Sequence, residues 1–356
     1  MKKRNSLLRF GSLVLTVSLL GAAFAGCGTK DQEAQVEENE KPVAVSASEE
    51  PASDDSDELQ TITIGASGTD GSASDAARIA QQLGYFEEEL EEVGYKPEYI
   101  GFAGAGPALN EALGGDSLDI ALYGDLPAIT AKSNGIDIKV FASYCTNYPF
   151  AVLASEQSGI ASVTDLKGKK IAVGFGTVPY EYLSKLLEKN GLSITDVEIV
   201  NTSTDGPTMI ASNQVDALVT ADTAVRAYEL QGLGKTLISS NDDEEISGLL
   251  VAVAKSQFLE EKRDAAVAVV RALDRAYEYA KADPDDTIDK LTSDLYSREL
   301  VALTYSDTGF EYFNPEVKDS VIKRIESTKQ FMLDNKLIAK DIDVADLVDT
   351  TIYADK

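Results

Sequence analysis

The stretch VTDLKGKKIAVGFGTVPYEYLSKLLEKNGLSITDVEIV, Val163 to Val200, decides the fold. KKIAV is a short apolar run with β-branched residues, GFGT interrupts it with two glycines, and YEYLSKLLEK repeats apolar residues at helical spacing. Asn190-Gly191 stops that helix, and DVEIV begins a second strand-like run. Strand, glycine loop, helix and strand within these 38 residues make a βαβ unit, whose two strands lie parallel in one sheet.

The same alternation extends in both directions and predicts an α/β fold with mainly parallel strands. Upstream, TITIGAS reads as a strand, and Asp75 as the cap of a helix with Ala76, Ile79, Ala80, Leu83, Phe86, Leu90 and Val93 on one face. KPEYIGF, LDIALYG and IKVFASY follow as strands, separated by helices over PALNEALGG, opened by Pro107, and LPAITAKSNG, started by Pro127. Downstream come helices from Pro207 to Asn213 and through Ala227, strands VDALVTA, KTLISS and LLVAVAKS, and a long amphipathic helix from Lys262 to Lys281. Strands near Phe150 and near Leu249 bracket the middle series. There the chain would cross to a second lobe and back, making a hinge beside an interlobe cleft; the alternative is one continuous sheet. No internal repeat is sharp.

The chain begins MKKRNSLLRFGSLVLTVSLLGAAFAGC, with Lys2, Lys3, Arg4 and Arg9 ahead of an uncharged run from Phe10 to Ala25. That pattern is expected of a signal peptide, and the run is short for a membrane-spanning helix. Phe24-Ala25-Gly26-Cys27 resembles the lipobox of bacterial lipoproteins, with Phe where Leu is preferred, which implies lipidation of Cys27. From Lys30 to Glu58, eleven Asp and Glu stand against two Lys, a composition expected of an acidic, solvated tether. The remaining 297 residues, 356 minus 59, suffice for one large or two small domains.

Formal charge is 32 minus 60, or −28. Nucleic acid and anionic lipid surfaces are therefore poor partners. Besides Cys27 there is only Cys145, so no disulfide within the folded part is available, and Cys145 reads as a buried small residue. The sequence has no histidine, which removes Ser-His and Cys-His catalysis and the usual zinc sites.

Three glycine loops stand between strands and helices: Gly65–Asp75, Gly101–Pro107 and Gly174–Tyr180. None has the Lys-Ser/Thr of a phosphate-binding P-loop, and none completes G-x-G-x-x-G. What they keep is close backbone approach and the unpaired N–H groups of a following helix, which suit an anionic or polar small ligand. Asp125 and Asp222 occupy similar strand ends, either as helix caps or as two carboxylates facing one cleft. Tyr85, Tyr123, Tyr144, Tyr148 and Tyr180 lie near these loops; Tyr85 reads as core, and the acidic run Glu87–Glu92 as a solvated helix face.

With LGYFEEEL, ALNEALGGDSLDIALYGDLPAI, NGIDIKVFA, the opening stretch and NQVDALVTAD in this order, the chain resembles the solute-binding proteins of bacterial ABC importers in the nitrate, sulfonate and taurine group. The resemblance implies a two-lobed periplasmic-binding-protein (type II) fold with an interlobe cleft. It also implies the segments: 1–26 signal peptide, 27–59 lipidated cysteine and tether, 60–147 first part of lobe I, 148–247 lobe II, and 248–356 the rest of lobe I with C-terminal helices. The ligand would meet Ser67, Gly68 and Thr69; Gly104, Ala105 and Gly106; Tyr123, Gly124 and Asp125; Tyr144; Gly176, Thr177 and Tyr180; and Asp222. The role implied is capture of a small organic solute, foremost an aliphatic sulfonate or similar oxyanion, for an ABC permease and its ATPase, without cofactor or metal. An amine-bearing or heterocyclic solute is the alternative. The alternative of an enzyme rests on pyrimidine-synthesising relatives that resemble this fold and depend on histidine and cysteine missing here, and the family's tryptophan-bearing second-lobe loop is replaced by Ala221-Asp222-Thr223.

Overall fold

The computed structural model describes residues 59–241, 243, 245–294, 296–305 and 310–356. The expected signal segment, Cys27 and the acidic tether lie outside them. The first series contains β1 (Gln60–Ser67), α1 (Asp75–Gln82), α2 (Tyr85–Glu91), β2 (Tyr95–Phe102), α3 (Ala105–Gly114), β3 (Ile120–Gly124), α4 (Asp125–Ser133) and β4 (Ile138–Tyr148). The second contains β5 (Phe150–Ala154), β6 (Lys170–Val173), α5 (Val178–Lys189), β7 (Glu198–Asn201), α6 (Gly206–Ala211), β8 (Ala217–Ala221), α7 (Asp222–Leu230) and β9 (Lys235–Ser239). β10 (Gly248–Lys255) is followed by α8 (Ser256–Glu261), α9 (Arg263–Ala282), α10 (Pro284–Leu291), α11 (Arg298–Tyr305) and α12 (Asp319–Asp334).

These strands form two sheets, ordered β2-β1-β3-β10-β4 and β7-β6-β8-β5-β9, not one continuous sheet. Both follow one plan, although no repeat is visible in the sequence: second, first and third strands, then a crossing strand, then the fourth. The strands are parallel as expected except at the crossing strand. β10 runs against β3 and β4, and β5 against β8 and β9. The cause is connectivity. β4 and β9 end at the edge facing the other sheet, so the chain enters its new sheet from that edge and must run backwards. Every βα loop is thereby delivered to the facing edges, the side on which α/β sheets bind ligands.

Local packing corrects three sequence readings. Asp75 does not cap α1: Ser74 holds the cap position, and Asp75 is the first helical residue, at φ 55°. That left-handed turn sends its carboxyl inward, where the Tyr305 hydroxyl donates to Oδ1 at 2.7 Å. The acidic run is not wholly solvated, because Glu89 packs under α9 and accepts from Arg271 Nε at 2.6 Å and Arg275 at 2.8 Å. Tyr85 is only half-buried, lying beneath the Arg275 guanidinium, 4.0 Å from its ring centre. The long helix forms as its periodicity requires, burying Val269, Val270, Leu273 and Ala276 on the face that meets α1 and α2.

Candidate functional site

Where the strand ends of the two sheets face one another, a cleft of about 330 Å³ opens. The first lobe contributes Ser67 from the end of β1, Ser72 and Ser74 before α1, Ala105 and Gly106 at the start of α3, and Tyr123 and Gly124 at the end of β3. Tyr144 and Tyr148 come from β4 and Phe150 from β5, at the crossing between lobes. The second lobe contributes Gly174 and Thr177 before α5, Thr202 to Thr204 before α6 and Gly206 at its start, Thr220 and Ala221 at the end of β8, and Tyr228 of α7. Among the described residues that line the cleft, none is charged.

The polar capacity of the cleft is therefore hydroxyl and backbone. α1, α3, α4, α5, α6 and α7 all begin here, and none of their cap residues makes a side-chain hydrogen bond to the first turn. First-turn N–H groups have no acceptor within their own helix and carry partial positive charge. The start of α3 is shaped further. Gly104 sits at φ −78°, ψ 5°, and Ala105 follows at φ 50°, a right-handed then left-handed pair that gathers successive N–H groups into an anion-binding concavity. Gly106 must be glycine because a Cβ there would stand 2.6 Å from Pro127 Cβ.

Seven of the fourteen residues expected at the ligand line the cleft: Ser67, Ala105, Gly106, Tyr123, Gly124, Tyr144 and Thr177. Gly68, Thr69, Gly104, Gly176 and Tyr180 stand outside the lining. Gly68 and Gly176, at φ 123° and 73°, shape their loops, and Tyr180 packs on Phe175 at 4.9 Å. The two carboxylates are corrected outright. Asp222 is fully buried and takes a hydrogen bond from Arg226 Nε, one helical turn on. Asp125 is fully buried against α5 and α12 and does not reach the cleft. Both are first residues of helices that start at the cleft, and each is turned sideways into a protein partner, Asp125 toward Thr328 of α12 and Asp222 toward Arg226 of its own helix. The Ser/Thr cluster Thr202 to Thr204 was overlooked, although strand EIVN followed by Gly206-Pro207 is a glycine loop of the same kind.

Asp125 belongs to a buried junction between lobes. The Thr328 hydroxyl lies 2.8 Å from Asp125 Oδ2 and 3.0 Å from Glu181 Oε1, with Lys185 bonded to Glu181 and Arg324 at 3.6 Å from it. One hydroxyl proton cannot serve two carboxylates, so the junction favours a proton on one of them. Burial, and then repulsion from Glu181, push the Asp125 carboxyl from its usual 3.8 up to about 6, against the opposing pull of Arg324, Thr328 and Lys185. The folded protein thus holds this proton more tightly than the unfolded chain does. Its contribution to stability is complete below the unfolded value and is lost as pH rises through about 6. Asp125→Asn removes that dependence, so the melting temperature of the variant relative to the parent should climb between about pH 4 and about pH 7. A difference that stays flat would show that Asp125 titrates normally.

Cys145 is a buried free thiol, its pKa pushed well up by burial and then by the Asp75 carboxyl, and it lies behind the cleft wall.

Two lobes meeting at a hydroxyl-lined cleft on their strand ends define the class of two-lobed, type II periplasmic binding proteins. Within it the chain belongs to the NMT1/THI5-like family, whose model matches residues 76–287. A putative aliphatic sulfonates-binding protein of Bacillus subtilis is 30% identical over 302 residues, covering 84% of this chain and 89% of the relative. The alkanesulfonate-binding protein of Xanthomonas axonopodis pv. citri, solved bound to MOPS, superposes with a TM-score of 0.70 at 24% identity, over 82% of this chain and 98% of that one. The desulfurization enzyme DSZB, as a variant with biphenyl-2-sulfinic acid, superposes at 0.64 with 15% identity, over 83% and 98%.

Proposed function

We propose that this protein is an extracytoplasmic receptor that closes its lobes on a small organic oxyanion, an aliphatic sulfonate foremost, and hands it to an ABC importer permease. The observation that carries this reading is the cleft itself: several helix starts, the α3 concavity and many hydroxyls converge on it without a charged side chain. That donor set suits three sulfonate oxygens, each able to accept N–H and O–H bonds at once. The apolar side of the lining, including Leu122, Phe150, Leu218 and Leu250, suits the carbon body of such a solute. The relatives whose names include sulfonate binding support the same class.

Closure is a hinge motion about the two crossings, favoured because a solute touching both lobes contributes contacts only in the closed state. Anchoring to the membrane through a lipid on Cys27 rests on the N-terminal sequence alone and is proposed with it. What supports a receptor over an enzyme is a sequence that offers no histidine and a Cys145 thiol that lies outside the cleft lining. An amine-bearing solute loses its support, since Asp125 and Asp222 do not reach the cleft.

Thermal-shift and calorimetric titration with methanesulfonate, hexanesulfonate, taurine and nitrate, against thiamine precursors and flavins, tests the reading. Sulfonates should raise the melting temperature, and hexanesulfonate should bind more tightly than methanesulfonate because it buries more apolar surface. Shifts from the heterocyclic compounds alone would replace the sulfonate class. Mass spectrometry of the membrane-extracted protein would show a diacylglyceryl mass on Cys27, and an unmodified mature terminus would remove the anchor.

A further inference from the structure

We propose that solute capture is proton-linked: closing the lobes draws one proton onto the carboxyl pair Asp125–Glu181, so the receptor takes up a proton as it binds in mildly acidic solution and binds more weakly as pH rises. This rests on the receptor reading above and adds its regulation.

The support is geometric. Asp125 and Thr328 belong to the first lobe, on α4 and α12, and Glu181 comes from α5 of the second. The residues beside them touch across the cleft floor, where a Cβ on Gly124 would run into Val178. At the junction one threonine hydroxyl stands between the two carboxyls, 2.8 Å from Asp125 Oδ2 and 3.0 Å from Glu181 Oε1. A hydroxyl has a single hydrogen to give. With both acids ionised, one of these two contacts sets lone pair against lone pair. With a proton on Asp125 the chain is complete: Asp125 Oδ2–H donates to Thr328 Oγ1, and Thr328 O–H donates to Glu181 Oε1.

The surroundings select Asp125 as the carrier. Both cations are placed on Glu181, Lys185 at 2.5 Å and Arg324 at 3.6 Å, whereas Asp125 forms no ion pair among the described residues. Its other oxygen accepts from the N–H of Leu126, its own neighbour. Glu181 Oε2 is buried without a hydrogen-bond partner, which marks how far water is excluded here. The other elements around Asp125 supply no further charge to it. Lys132 of α4 pairs with Asp137 and Asp346, and Lys329 of α12 with Glu326 and Asp341. On the sheet side, Lys139 of β4 pairs with Asp346 and Lys255 of β10 with Asp116, while Glu111 of α3 is exposed. Tyr123 of β3 and Tyr144, Cys145 and Tyr148 of β4 are pushed up by burial and stay neutral.

Parting the lobes takes Glu181 away and admits water, which returns the Asp125 carboxyl toward its usual 3.8. Joined, burial first and Glu181 second hold it at about 6. The closed state therefore keeps the proton more tightly than the open one. A solute that favours closure binds more tightly as pH falls through about 6, and the gain levels off below about 4.

The test uses two probes whose own charge does not change with pH, hexanesulfonate and nitrate. Calorimetry of the full chain should give about 10-fold tighter hexanesulfonate binding at about pH 5 than at about pH 7.5, the ratio for a carboxyl moved from about 4 to about 6. In unbuffered salt solution held by a pH-stat at about pH 5, saturating hexanesulfonate should consume between about half and about one equivalent of acid per molecule bound, and almost none at about pH 7.5. Asp125→Asn offers Thr328 a permanent amide N–H in place of the proton. This variant should bind equally at both pH values, as tightly as the parent at the lower one, and consume no acid. Hexanesulfonate binding with neither pH dependence nor acid consumption overturns the linkage and leaves the receptor reading intact. Acid uptake that persists in Asp125→Asn overturns the assignment to this junction. Proton-linked binding of nitrate with no sulfonate bound removes the sulfonate class and keeps the linkage; no binding of either probe overturns both.

Discussion

Gly124→Val is expected to abolish solute capture. Gly124 ends β3 of the first lobe, and a Cβ built on it would stand 2.1 Å from Val178 Cγ2, at the start of α5 in the second lobe. No real Cβ approaches a methyl so closely. Val178 is buried and, being β-branched, has few rotamers with which to yield. The lobes would be held apart at the floor of the cleft, and donors from α3 and α5 could no longer reach one solute together. We expect affinity to fall by at least about 100-fold, the order lost when a closed geometry becomes inaccessible. Because the clash is mutual, Val178→Ala in the same chain should restore much of the binding to Gly124→Ala. Calorimetry of the single and double variants reads this directly. Near-parental affinity of Gly124→Val would mean that the contact is not kept in the bound state.

Glu181→Ala should carry the largest stability cost of any single side-chain truncation at the lobe junction. Glu181 is fully buried, binds Lys185 one turn along α5, accepts from Thr328 of α12 and lies beside Arg324. Removing it leaves Lys185 over the Phe331 ring, 5.6 Å from its centre, with its closest carboxylate gone. Breaking a buried pair in this way costs about 3–5 kcal/mol, whereas replacing both members by apolar groups of similar volume is often neutral. Glu181→Ala should therefore lower the urea midpoint strongly, and Glu181→Leu with Lys185→Met should recover most of the loss. Arg324 remains tied to the backbone oxygens of Glu245 and Ser247 in the return crossing, so the hinge segment should stay in place. An unchanged midpoint for Glu181→Ala would show that water already screens the junction.

The junction also shows which parts of the site were legible. Glycine loops announced themselves because only glycine allows the close approach at Gly106 or the turn at Gly176, and that demand is local. Ala105, Gly106 and Thr177 reached the cleft on or beside such loops, whereas Tyr123, Gly124 and Tyr144 came to it on strands. Asp125 and Asp222 were misread because a carboxylate at a strand end has the same sequence appearance whether it faces a ligand or another helix. What decided was α12, lying nearly two hundred residues further along the chain than Asp125 and placing Thr328 against it. Asp75 was misread similarly, since neither its left-handed φ nor its Tyr305 partner leaves a mark within its own helix.

By itself the sequence determined the alternation of strands and helices and the glycine loops, because periodicity and backbone freedom act over a few residues, and it left the two crossings open against one continuous sheet. The tertiary structure alone decided which polar groups share the cleft and which are buried behind it. Burial and charge pairing depend on segments that meet only after the lobes have formed, and here they put the aspartates behind the wall and left hydroxyls and helix starts to face the solute.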